Sequence, residues 1–441
     1  MPSTFEPSPP APKSNAIMKS FTTEFVHSAP PNRRFLIRTL LVGFFACHRD
    51  ARAQTVLAPP PPAPDQTPSA VQQANEMDVF ASPPAQTETQ PFTWGALTFR
   101  PHPYYQFLYA DGLQYSTNLL AHSIIQTVSP GFLLEIGRHW TLDYSPTFSI
   151  YSSDHFSDTF GQTVRLQGGT VYNDWILGLV QSYSETDNPS QTTASQTREQ
   201  TFATALTGSY TINSKLSSDL SLNQKYVTAD QFSSYNEWST LNWLNYQFWP
   251  RLNAAVGAGG GYDDEQASPD MTFEQVQGRI SWRATERVGF LLHGGVEVRQ
   301  FLSGGASDLV SPVFDGTIQY RPLDQTRISV TGQRVVSPSY LQDQYTETTG
   351  VSADLNQQFL NKFFVDVGGG YQHVKYISTG SASNSSPTGE DNCYFLNAQL
   401  GRTFLKRGSF AVVYQLNRDD STRPGYTFTS HQVGFQIGYA Y

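Results

Sequence analysis

The sequence predicts an all-β fold: an antiparallel, up-and-down transmembrane β-barrel of about 18 strands (about 16–20), preceded by a disordered Pro-rich segment. Three observations carry that expectation. Rings make up 13% of the 441 residues, with 33 Gly beside them, whereas only 15% are charged, against roughly a quarter in ordinary soluble domains. Apolar and polar-or-tiny residues alternate along segments of about 12–15 residues, longer than common strands and enough to cross a bilayer at a tilt. The connections between these segments alternate between short and long, which is the barrel pattern. The same composition speaks against a helical bundle, which leans on Leu, Ala, Glu and Lys. It leaves no disulfide scaffold, since Cys47 and Cys393 are the only two Cys. No run of apolar residues reaches the eighteen or so a membrane helix needs. A net charge of −9 argues against nucleic acid as a partner.

Residues 1–53 read as a secretory leader. Arg33, Arg34 and Arg38 precede the apolar run Leu40 to Ala46, and Ala51-Arg52-Ala53 supplies small residues at a cleavage site. The long stretch before Arg33 leaves Met18 open as an alternative start. Phe44-Phe45-Ala46-Cys47 is a poor lipobox, and Arg33-Arg34-Phe35-Leu36 a mis-spaced twin-arginine pattern. Residues 54–93 form a tether rich in Pro, Gln, Thr and Ala, with Pro59 to Pro62 in a row and no Lys or Arg. Such a segment cannot bury enough apolar surface to offset its ordering entropy, so disorder is expected.

The remainder, 94–441, is the barrel. Strands are expected at roughly 97–110, 119–137, 139–152, 158–171, 174–185, 200–212, 215–228, 235–249, 251–263, 272–284, 287–301, 309–321, 326–337, 346–360, 362–376, 391–404, 408–419 and 428–441. The last eleven residues show the pattern most clearly. Val433, Phe435, Ile437, Tyr439 and Tyr441 alternate with Gln432, Gly434, Gln436, Gly438 and Ala440, and alternate residues of a strand face opposite sides. Trp140, Leu142, Tyr144, Phe148 and Ile150 oppose Thr141, Asp143, Ser145, Thr147 and Ser149 in the same way. Short turns at 212–215, 249–251, 360–362 and 405–408 fall on one side. Long polar connections near 186–199, 264–271, 302–308 and 377–390 fall on the other. With an even number of strands, both chain ends lie on the short-turn side. Trp140, Trp175, Tyr210, Trp282, Tyr320, Phe404 and Tyr441 stand at strand ends on that side, where they would form an interfacial girdle.

On these residues the chain resembles the outer-membrane β-barrels of Gram-negative bacteria. The C-terminal alternation of Phe435, Ile437, Tyr439 and Tyr441 looks like their assembly signal, with Tyr where Phe is the commoner last residue. The opening Leu97-Thr98-Phe99-Arg100-Pro101-His102-Pro103, followed by Val128-Ser129-Pro130-Gly131-Phe132-Leu133, is similar to the β-barrel porin families found beside exopolysaccharide loci. The resemblance covers about 94–441. It implies an outer-membrane location, contact with membrane lipid and lipopolysaccharide, and folding with periplasmic chaperones and the barrel-assembly machinery; oligomerisation stays open.

If the apolar face meets lipid, the polar face lines the interior. That face carries Glu135, Asp143, Arg165, Asp219, Lys225, Arg279, Arg283, His293, Glu297, Arg299, Asp315, Arg327, Asp354 and Asp366. About 16–18 strands enclose an aqueous channel, so the expected function is a porin-like passive channel for small hydrophilic solutes. The alternatives are an outer-membrane component of polysaccharide export and a non-conducting structural barrel. Residues 94–441 hold 21 basic and 30 acidic side chains, a balance that tilts toward cations or neutral sugars. No enzyme, cofactor or metal is expected. Ser430-His431 and His373 offer a weak hydrolase-like pairing. Asp263-Asp264-Glu265 reads as an acidic cluster opening a loop, able in principle to hold a divalent cation. Glu297, Arg299 and His293 read as an ion-pair ladder, and Gly257 to Gly261 as a site of bending or close approach.

Overall fold

The computed structural model describes residues 92–190, 193–230, 232–266, 268–303, 307–341, 343–360, 362–379, 388–405 and 407–439. The leader, most of the tether and Tyr441 lie outside them. Among the described residues, 18 long strands form one antiparallel ring. They are β1 (Leu97–Ser116), β2 (Leu119–Ile136), β3 (Trp140–Tyr151), β4 (Thr159–Tyr172), β5 (Trp175–Thr186) and β6 (Glu199–Thr211). Next come β7 (Leu216–Ala229), β8 (Tyr235–Trp249), β9 (Leu252–Glu265), β10 (Met271–Arg283), β11 (Val288–Phe301) and β12 (Leu309–Tyr320). The ring is completed by β13 (Thr326–Pro338), β14 (Gln344–Phe359), β15 (Phe363–Ser378), β16 (Gly389–Phe404), β17 (Gly408–Ser421) and β18 (Phe428–Tyr439). Each strand pairs with the next, and β18 closes on β1 through Gly438 to His431 opposite Tyr104 to Asp111. Closure joins the last strand to the first and pairs most backbone groups within the wall, which suits a lipid surrounding.

Turn chemistry sets the hairpins. The two-residue turns β1–β2 and β4–β5 place Asn118 and Asn173 at φ 64° and 52°, the left-handed conformation that Asn tolerates in tight hairpins. The connections after even-numbered strands are short, and both ends of the ring lie with them. All the longer connections follow odd-numbered strands.

Three boundaries differ from the sequence expectation. β1 runs on to Ser116 because a bulge between Ala110 and Leu113 lets it continue past Gly112. β9 runs through Asp263, Asp264 and Glu265 in register with β8, so the acidic cluster belongs to the wall and not to a solvated loop. Phe92–Trp94 forms a short strand doubled back on β1, so regular structure begins inside the range read as tether.

The two faces of the wall are distinguishable by reach. Arg279 on β10 donates to Asp219 on β7 at 2.9 Å. Three strand spacings amount to about 14 Å of wall, so such a contact forms only on the concave side. The face carrying Arg279 is therefore the inside. Leu244, Phe248, Val256, Val276, Val296 and Val351 stand exposed on the outside. The girdle residues Trp140, Trp175, Tyr210, Trp282, Tyr320 and Phe404 end their strands on the short-turn side.

Candidate functional site: the barrel interior and its mouth

The lower, short-turn half of the inner face is open. Gln167, Thr207, Arg283, Arg327 and Asp354 share the inward register and are nevertheless exposed. Charged residues here are held against the wall. Glu135 pairs with Arg100 at 2.9 Å, and Asp143 with His102 at 3.3 Å. Arg165 donates to Gln167 at 3.1 Å. Asp366 accepts from Gln399 at 2.9 Å and also from Asn356. Asp315 lies opposite His293 in the β11–β12 register.

At mid-height a flat aromatic plate covers β8 to β10. Trp243 and Leu241 point inward and are buried. Alternation alone did not reveal them, because β8 carries apolar residues on both parities. Trp243 lies on Gly257, where an added Cβ would sit 2.6 Å from its ring. Arg279 stacks on it at 4.5 Å, and His293 is 5.8 Å away. Asp219 and Asn245 then hold the guanidinium. Gly257 thus permits close approach of a ring. Gly257→Val is expected to lift Trp243 off the wall and destabilise the barrel by about 1–3 kcal/mol, read as a lower temperature for loss of the compact, SDS-resistant band.

The upper half narrows. The β12–β13 register stops at Phe314 opposite Arg334, while β13 and β14 remain paired to Pro338 and Tyr345. Both faces of this free hairpin are covered: Val336 and Tyr345 are buried on one side, and Gln344 on the other. The first face meets inward-pointing residues of β11 and β12, since Tyr345 packs on Phe301 and Glu347 accepts from Ser311. The tip reaches across the mouth, where Tyr340 accepts from Ser233 N–H and Ser268 from Asp343 N–H. The hairpin has left the wall and folded into the opening.

Arg299 on β11 fastens it. Its guanidinium donates to Glu297 at 2.5 Å, to Asp263 at 3.0 Å and to the Val336 carbonyl at 2.9 Å, and lies 4.7 Å over Phe273. Glu297 and Arg299 are paired, whereas His293 sits apart beside Trp243. From the opposite rim, the ladder Pro189–Ser190 with Ser195–Gln196 packs on β1, four strands away along the wall. Phe156 tucks beneath it against Ala110, Leu113 and Tyr151. Near the seam, Arg423 is sealed between the rings of Tyr376 and Tyr426 and held by Asp391. Lys225 lies 5.4 Å from the Tyr235 ring.

Ser430 and His431 are neighbours in β18, so they face opposite sides: Ser430 is buried inside and His431 contacts Tyr414 outside. They do not form a nucleophile–base pair. Asp263 and Glu265 face inward and Asp264 outward, and among the described residues no group of three His, Cys, Asp or Glu is placed to hold a metal.

No protein-family model matches the chain, and no curated protein sequence does. Solved barrels are similar at low values. Pseudomonas aeruginosa OpdO has a TM-score of 0.42 and 12% identity, covering 78% of this chain and 97% of its own. The outer membrane protein opdK from Pseudomonas aeruginosa gives 0.43 and 12% over 78% and 98%. Acinetobacter baumannii OccAB3 gives 0.42 and 9% over 78% and 99%. At TM-scores below 0.5 these likenesses carry no weight, and the architecture rests on the strand ladder alone.

Proposed function

We propose that this barrel crosses the bacterial outer membrane and works as a porin-like passive channel for small hydrophilic solutes, without catalysis. The single observation that carries the reading is a closed ring of 18 strands whose polar inner face stays exposed at Thr163, Gln167, Thr207 and Asp354. Rings of about this size enclose water. Alternating polar-inside and apolar-outside faces suit a cylinder immersed in hydrocarbon. Phe435, Ile437 and Tyr439 stand on the outer face of β18, as an assembly signal read from the membrane side would; such a signal would engage the barrel-assembly machinery.

Solute choice would be made at the mouth, where Asp263, Glu297, Asp391 and Asp419 are buried around Arg299 and Arg423. Acidic walls favour cations over anions. Protein refolded into a planar bilayer is expected to conduct, with a reversal potential in a KCl gradient displaced toward potassium. Absence of conductance at every voltage would leave the non-conducting structural barrel instead. The acidic excess counts against export of an acidic polysaccharide.

A further inference from the structure

We propose that the β1–β2 hairpin is a side door in the barrel wall, through which an amphipathic, bilayer-partitioning small molecule passes between the interior and the surrounding lipid. The inference rests on the reading of the chain as a bilayer-crossing barrel, and adds a route the axial channel does not supply.

Prolines fall at one height on this hairpin and on the strand beside it, and they remove rungs on its β3 border. Pro103 on β1 lies opposite Pro130 on β2, and the register between them is unbroken. In an antiparallel ladder, opposed residues alternate between pairs that exchange backbone bonds and pairs that do not. Neither Pro has an N–H, so this unbroken pair is of the second kind. The missing donors therefore face outward from the hairpin: Pro103 toward β18, and Pro130 toward β3. Pro101, two residues before Pro103, faces β18 as well.

The ladder shows the result on the β3 side. Between β2 and β3, pairing runs to Val128 opposite Phe148, stops, and resumes at Phe132 opposite Tyr144. The centre of that gap sets Pro130 against Pro146, where neither strand has a donor. On the other border the β18–β1 ladder runs unbroken from Gly438 opposite Tyr104, one residue short of the end of β18 at Tyr439, to His431 opposite Asp111. Pro146 is the seventh of the twelve residues of β3, so the interruption sits halfway along the strand. Pro is ordinarily confined to sheet edges, and three in one row across adjacent wall strands make that row an edge in all but position.

Side-chain straps cross the inner side of this stretch. His102 on β1 reaches over β2 to Asp143 on β3 at 3.3 Å. Gly131 makes room, since a Cβ there would sit 2.3 Å from the imidazole. Tyr104 donates to Gln436 of β18 at 2.9 Å. Rotation of two side chains releases such straps, whereas a continuous ladder must break cooperatively. Otherwise only Ser129, Ser145 and Thr147 line the inner side of the gap, all small. Above it the inner face of the hairpin turns apolar: Leu108 packs with Phe364, Ala411 and Val413, and Ile125 joins this patch to Ala110, Leu113, Tyr151 and Phe156. An apolar track inside, ending at a weakly bonded gap at bilayer depth, suits a molecule with an apolar body and a polar end.

The test uses the full chain with Cys47→Ser and Cys393→Ser, expressed in cells whose outer membrane retains lipopolysaccharide. The probe is the lipophilic dye N-phenyl-1-naphthylamine, whose fluorescence rises on entering the membrane. Ser129→Cys with Thr147→Cys, opposite one another inside the gap, locks the door when oxidised. Separately, Pro130→Thr with Pro146→Thr restores both donors without relying on a cross-link. Either change is expected to bring dye entry down to the rate of cells lacking the barrel, with reduction restoring entry through the cysteine pair. Single-channel KCl conductance is expected to stay unchanged throughout. Dye entry that persists in the Pro130→Thr/Pro146→Thr barrel, or in a lock shown to be formed, overturns the door. In the barrel with both prolines and no lock, absence of conductance with dye entry intact overturns the axial channel and leaves the door standing.

Discussion

Arg299→Ala is expected to raise single-channel conductance, add open-state flicker and destabilise the barrel, all from one side chain. Arg299 contacts both Asp263 and Glu297 at the mouth, and it also holds the Val336 carbonyl of the inward hairpin. Removing one partner of a buried ion pair leaves uncompensated charge and costs about 3–5 kcal/mol. Here the easiest relief is for water to enter beneath the hairpin and for the ends of β13 and β14 near Val336 and Tyr345 to swing out, since among the described residues the β12–β13 ladder stops at Arg334. Arg299→Lys keeps the charge but lacks the planar fork that serves three acceptors at once, so an intermediate conductance is expected. The triple change Arg299→Met, Asp263→Asn, Glu297→Gln removes the charges together and is expected to recover most of the stability while the mouth stays wider. Unchanged conductance and unchanged unfolding in Arg299→Ala would show that the hairpin is held by other contacts.

How much of this was legible in the sequence depends on what each feature owes to period two. The strand ranges were readable because one face of the wall meets a single continuous environment, so Val433, Phe435 and Ile437 alternate cleanly with Gln432, Gly434 and Gln436. The inner face of β11 was likewise visible in His293, Glu297 and Arg299. What could not be read was anything created by curvature. Arg279 meets Asp219 across β8 and β9 only because the wall closes, and no local pattern joins residues 60 apart in sequence. Trp243 defeats alternation because its cover comes from the glycine opposite it and from Arg279, both on other strands. The inward hairpin was equally hidden. Pro338 to Asp343 looks like an ordinary polar turn, and its departure from the wall follows from Arg299, which lies on β11. The prolines at 101, 103, 130 and 146 were in plain sight within the resembling motifs. Their meaning required the register, which sets Pro103, Pro130 and Pro146 in one row.

Placing the apolar face outward is the assumption with the sharpest consequence, and one neighbouring pair tests it. Val351 and Ser352 adjoin in β14; Val351 is outward and half exposed, opposite Tyr371 and Gly332, while Ser352 is inward, opposite Thr331 and Gly370. A basic side chain at the lipid-facing midplane of a barrel costs about 2–4 kcal/mol, whereas lumen substitutions mainly tune selectivity. Val351→Arg is therefore expected to lower stability by that amount in urea unfolding from lipid vesicles. Ser352→Arg should fold almost as well as the parent but move the reversal potential toward chloride, because it adds a cation to the water-filled side. Both positions receive the same side chain, and the inward serine grows by more than the outward valine, so bulk alone cannot produce the split. The opposite outcome, with Val351→Arg tolerated and Ser352→Arg disruptive, would mean that the apolar face is packed inside against protein and that hydrocarbon never touches this wall.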